Sequence, residues 1–64
     1  MRILLKEVMR SKNLTVRQVS IITGIPRSTI NDIMNGTVPR IDTLETLAKG
    51  LKIHISDLYE SDFK

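Results

Sequence analysis

Arg27, Ser28, Asn31 and Asp32 place a guanidinium, a hydroxyl, a carboxamide and a carboxylate within one short stretch. These groups can donate paired hydrogen bonds, both donate and accept, or only accept. Such a set suits matching the polar edge of another molecule better than breaking its bonds. Catalysis has little else to draw on, because the chain has no cysteine and a single histidine, His54. It also lacks a Ser-His-acid arrangement with recognisable spacing and a phosphate-cradling glycine loop. The protein is therefore expected not to be an enzyme and to need no cofactor. One histidine without thiolates cannot build a metal site, and the position of His54 before Ile55-Ser56-Asp57 suits the start of a last short helix.

The four side chains depend on the elements that hold them. Val19 and Thr23 fall at i and i+4, Ile25 follows, and Ile30 and Ile33 fall at i and i+3, so one inward face runs across two successive helices. Ser20 is small enough to let helices cross closely. Thr15 with Gln18 has the form of a capping box, which starts the first helix of the pair. Gly24 can take the left-handed conformation that ends it, and Pro26 biases Ile25 away from helical angles while fitting the next first turn. Asn35-Gly36 ends the second helix by the same C-terminal logic. Residues 16–35 thus have the layout of a helix-turn-helix, although each device alone would also serve an ordinary antiparallel helix pair. With Ile30 and Ile33 inward, Arg27, Ser28, Asn31 and Asp32 project outward.

The order of further segments separates these readings. They are Lys12-Asn13-Leu14-Thr15, Gly24-Ile25-Pro26-Arg27-Ser28-Thr29-Ile30, Asn35-Gly36, Thr43-Leu44 with Leu47-Ala48-Lys49, and Ile53-His54-Ile55-Ser56-Asp57-Leu58. From Leu5 to Tyr59 the sequence resembles the phage repressor and Cro helix-turn-helix family, also called the xenobiotic-response-element family. The resemblance implies an all-α fold, a five-helix bundle of the lambda-repressor-like DNA-binding type, and sequence-specific binding of double-stranded DNA. The second helix of such a motif enters the major groove by its N-terminus. Arg27, Ser28, Asn31 and Asp32 become the base-reading candidates. Arg27 suits O6 and N7 of guanine, Ser28 and Asn31 are adaptable, and Asp32 can accept from a cytosine amino group; a good bidentate contact contributes about 1–3 kcal/mol of discrimination. Relatives often carry a basic or amide residue at the position of Asp32, so its carboxylate is expected to serve selectivity, not strength. By resemblance, backbone N–H groups and side chains near Thr15, Asn35 and Thr37 face the sugar-phosphate chain, and Arg17 adds a charge contact. Arg40 occupies a position from which some relatives reach toward a narrow minor groove.

Composition agrees. With 64 residues, 41% of them apolar, and only Tyr59 and Phe63 as aromatics, the chain can form one small domain that buries roughly 60% of its unfolded surface. No run approaches the roughly 20 apolar residues of a membrane span, and Met1 to Leu5 is too short for a signal-peptide core, so a cytoplasmic, nucleoid-associated protein with no membrane partner is expected. Residues 1–40 carry seven basic against two acidic side chains, a net +5, whereas residues 41–64 carry three against five, a net −2. The positive part holds the proposed DNA-reading motif, as phosphate neutralisation requires.

The pattern predicts five helices and no strand: about Arg2 to Ser11, Val16 to Thr23, Pro26 to Met34, one beginning near Ile41, and about Ile55 to Glu60. The first should bury Leu5 and Val8, and the fourth Leu44, Leu47, Ala48 and Leu51. Relatives often pair an arginine at the position of Met9 with a glutamate at that of Met34; two methionines here predict an apolar Met9-Met34 contact. At Ile21-Ile22, where relatives are polar, one isoleucine is expected to fill space beside Thr23 and the other to lie exposed. One module covers only a few base pairs, so a homodimer on a palindromic operator is expected, with half-sites roughly 34 Å apart. Leu51, Leu58, Tyr59 and Phe63 are the interface candidates. These expectations describe a small transcriptional regulator, a Cro-like repressor. The alternative is an antitoxin or antirepressor-like module whose main partner is a protein docking at Ile21-Ile22 or the last helix.

Overall fold

Leu44, Leu47, Ala48 and Leu51 repeat at the spacing of one helical face, and in the computed structural model, which describes residues 1–63, they form the buried stripe of α4, Ile41–Leu51. Three shorter helices pack around that stripe. α1 is Leu5–Ser11, α2 is Val16–Thr23 and α3 is Arg27–Met34. They contribute Leu5 and Met9, Val19, and Ile30 and Ile33 respectively to a single apolar core that Leu58 completes. The buried side chains of the described residues are all hydrophobic. The fold is therefore held by apolar burial, and polar groups act at the helix ends.

The ends explain the sharp corners. The capping box at Thr15 is formed in both directions: the Thr15 N–H donates to Gln18 Oε1 at 2.8 Å and the Gln18 N–H to Thr15 Oγ1 at 3.1 Å. Gly24 takes φ +78°, which closes α2. Gly36, at φ +112°, closes α3 in a Schellman arrangement: the Gly36 N–H donates to the Ile33 carbonyl at 3.2 Å and the Thr37 N–H to the Asp32 carbonyl at 2.9 Å. The same motif ends α1 at Asn13 and α4 at Lys52, where no glycine is present, with φ of 55° and 57°. In both cases the next residue, Leu14 or Ile53, folds back against the core. A left-handed lysine is strained by about 1–2 kcal/mol. Lys52→Gly is accordingly expected to raise stability by about 1 kcal/mol, a gain in Tm of about 4–8 °C by thermal unfolding.

The ends of the chain depart from the predicted all-helical layout. α1 begins at Leu5, not Arg2, because Arg2–Ile3 form a short strand, β1, that pairs antiparallel with β2, Tyr59–Glu60. The Leu4 N–H extends this pairing to the Leu58 carbonyl at 2.8 Å. The predicted fifth helix is a single 3-10 turn, Ile55–Leu58, so the described residues hold four α-helices. Ile53 and Ile55 flank the start of that turn and pack on the core. His54 precedes the turn as expected, exposed, with its N–H donating to Asp57 Oδ2 at 3.1 Å.

Two departures from the family pattern resolve differently. Met9 is buried and Met34 packs against the same cluster, whereas Val8, expected inside, is half-buried. Ile21 and Ile22 are both exposed, at 73% and 49%, so neither is buried beside Thr23. Gly50 brings the α4 backbone close to Thr23: a methyl added there would stand 2.7 Å from Thr23 Cγ2. Gly50→Ala gains about 1 kcal/mol of helix propensity and loses about 1–3 kcal/mol to overpacking. We expect the loss to win, because Thr23 is held in place by hydrogen bonds of its hydroxyl. A lower Tm for Gly50→Ala, with a smaller drop when the same change is made in a Thr23→Ala background, is the outcome that a double-mutant cycle should give.

Candidate nucleic-acid interface

α3 is positioned by what it buries. Ile30 and Ile33 lie in the core, which turns Arg27, Ser28, Asn31 and Asp32 to solvent, all four exposed. Five steps of 1.5 Å separate the first from the last, about 7.5 Å along the axis, or roughly two base-pair steps of 3.4 Å. Pro26 is the N-cap, with φ −57° and ψ 144°. Its carbonyl accepts from the N–H groups of Thr29 at 3.1 Å and Ile30 at 3.2 Å. The Arg27 and Ser28 N–H groups have no acceptor within the helix, so the positive end of α3 offers two amides beside the Arg27 guanidinium.

The start of α2 offers a second set of donors. The capping box uses the Thr15 and Gln18 amides, and the Val19 N–H donates to the Thr15 carbonyl at 3.0 Å. The Val16 and Arg17 amides and the Thr15 hydroxyl proton are left over for an anion. Arg17 is exposed beside them. This arrangement can hold a phosphate without using any group the fold needs.

Beyond α3 the expectation needs correcting. The Asn35, Gly36 and Thr37 amides are all taken up by the helix end, through the Asn31, Asp32 and Ile33 carbonyls. The exposed side chains of Asn35 and Thr37, not their N–H groups, remain free to meet a sugar-phosphate chain. Arg40 is the N-cap of α4, and its Nε lies 3.5 Å from Asp42 Oδ1. Such an exposed pair contributes little to stability and competes with any reach by Arg40 toward DNA. Apart from it, the ion pairs of the described residues comprise Arg2 with Glu7; Arg17 and Arg27 take part in neither. The acceptor Asp32 is exposed on α3 as well.

The dimer candidates do not form one surface. Leu51 and Leu58 are buried in the core and present nothing to a second copy. Tyr59 is half-buried in β2, and Phe63 lies beyond it, 98% exposed. The chain is extended at Tyr59, with φ −147°, so no helix brings these two aromatics onto one face.

Sequence reasoning also missed what the hydroxyls of Ser20 and Thr23 do. Ser20 Oγ donates to the Ile25 carbonyl at 2.6 Å, and the Ile25 N–H donates to Thr23 Oγ1 at 3.2 Å. Both ends of the Ile25 residue are thus gripped from α2. A small polar residue at a tight turn was the available signal, and Ser20 was read for size alone.

α2 and α3, joined at Gly24 and crossing over a shared core with a polar face outward, define a helix-turn-helix protein. A model of the Cro/C1-type HTH DNA-binding domain matches residues 4–64, and the chain belongs to that family. Comparison with curated proteins and with solved structures gives no match. Binding of double-stranded DNA and a part in transcription regulation follow from the family, whose members are generally not enzymes. No described helix is long and apolar enough to cross a membrane.

Proposed function

We propose that this chain is a small Cro-like repressor that occupies a palindromic operator as a dimer and blocks transcription from it. The observation that carries the reading is the α3 surface: Arg27, Ser28, Asn31 and Asp32 exposed together at the free positive end of a helix whose other face is locked in the core. Arg27 and Asp32 read bases, Ser28 and Asn31 adapt, and Thr15, Arg17, Asn35 and Thr37 fix the register on the phosphates. Asp32 makes the site choosy, because a carboxylate near phosphates is tolerated only where a base amino group meets it.

Selection from a random duplex library at near-physiological salt tests this, since general phosphate attraction is weak there. Enrichment of a palindrome with half-sites about 10 base pairs apart is the expected result. Absence of any enriched sequence with folded protein would overturn it. On the enriched duplex, Arg27→Ala should lose about 1–3 kcal/mol of affinity and relax preference at one base pair per half-site. An unchanged preference at every position would remove Arg27 from the reading set.

The exposure of Ile21 and Ile22 favours a second reading, in which a partner protein docks on α2 as on an antitoxin or antirepressor. Ile22 borders an open groove of about 360 Å³ with Thr23, Thr46, Lys49 and Gly50. Stoichiometric co-purification of a protein, lost in Ile21→Lys, would support it.

A further inference from the structure

We propose that Ser20 and Thr23 are positioning residues for DNA recognition, setting the angle of α3 through a two-sided grip on Ile25. The inference rests on the reading of α3 as the base-reading helix. Ile25 and Pro26 are the only residues between the left-handed Gly24 and the first turn of α3, and Pro26 has no N–H to anchor it. Ile25 is therefore the one place where α2 can hold the turn by both backbone polar groups. It does so with the Ser20 hydroxyl on the carbonyl at 2.6 Å and the Thr23 hydroxyl on the N–H at 3.2 Å.

Thr23 is itself fixed on two further sides. Its hydroxyl donates to the Val19 carbonyl at 2.7 Å, so the oxygen serves as donor and acceptor at once. Its methyl faces Gly50, so close that a methyl added there would stand 2.7 Å from it. Both favour the observed rotamer of Thr23. The two hydroxyls thus pass the orientation of α2 to Ile25 and on to Arg27, two residues farther on. Bidentate hydrogen bonds to a base edge depend on direction, whereas general attraction to phosphates does not. Loosening the grip should therefore lower selectivity and leave non-specific affinity in place.

The test compares the wild type with Ser20→Ala, Thr23→Val and Thr23→Ser. For each, Kd is measured for the selected duplex and for a scrambled duplex of equal length at one salt concentration. Amide residual dipolar couplings of α2 and α3 are recorded in the free protein. Thr23→Val keeps the branched shape and removes the hydroxyl; Thr23→Ser keeps the hydroxyl. We expect Ser20→Ala and Thr23→Val to reduce the ratio of the two Kd values by about tenfold each, the scale of one lost hydrogen bond. The scrambled-duplex Kd should not move, Thr23→Ser should retain the wild-type ratio, and the couplings should report a reoriented α3. Folded variants with the wild-type ratio and couplings would overturn the proposal, as would equal weakening on both duplexes. Ser20→Ala decides the matter if Thr23→Val does not fold. A wild-type ratio near one would overturn the DNA reading itself, and the couplings, which need no DNA, would still show whether the hydroxyls hold α3.

Discussion

Met9→Arg is expected to cost about 3–5 kcal/mol, a large share of the roughly 3–10 kcal/mol available to a domain of 64 residues. Met9 is 4% exposed, in a core whose described members are all hydrophobic, so a guanidinium there would meet no counter-charge. Met34 packs against the same cluster from the end of α3. Adding Met34→Glu should therefore recover much of the loss, by supplying the carboxylate that the arginine lacks. Urea unfolding of the two single variants and the double gives the coupling directly. A wild-type midpoint for Met9→Arg alone would show that the position tolerates charge and that its burial is not what holds α1 to α3.

Ile30→Ala comes second, at about 2–5 kcal/mol for a truncated core isoleucine. Ile30 is fully buried and lies on the face of α3 opposite the polar set. Its removal leaves a cavity under the helix proposed to enter DNA, so the expected loss has two parts. The unfolding midpoint falls steeply, and the surviving folded protein binds the selected duplex less well, because α3 has lost an anchor. Ile30→Val separates them, with about 0.5–1.5 kcal/mol of stability lost and selectivity retained. Equal stability of Ile30→Ala and wild type would contradict the core placement.

What the sequence made legible is what local chemistry decides. Thr15 with Gln18, Gly24, Pro26 and Gly36 act within one turn of their own positions, and the breaks they imply stand where they were expected. The outward face of α3 followed from Ile30 and Ile33 by helical spacing alone. The misses are tertiary. No pattern within Arg2–Ile3 or Tyr59–Glu60 announces a strand, since each is two residues long and exists only by pairing with the other. That pairing, with the Leu4 N–H on the Leu58 carbonyl, shortens α1 and stops the last turn at Leu58. Of Ile21 and Ile22 one was expected exposed and both are, because α4, a distant element, approaches Thr23 by its backbone at Gly50. The Thr37 amide was offered to phosphate because its use by the Asp32 carbonyl depends on how α3 ends.

The pairing of Arg2 with Glu60 also decides how the domain would sit in any longer polypeptide. Opposed residues of antiparallel strands lie about 5 Å apart, so segments joined before and after this unit would leave it side by side. The unit would hang from such a chain like a charm from a closed clasp, not like a bead threaded on a string. It could be set into a surface loop of a host with little stretching of either end, and its α3 face would then point wherever that single attachment aims it.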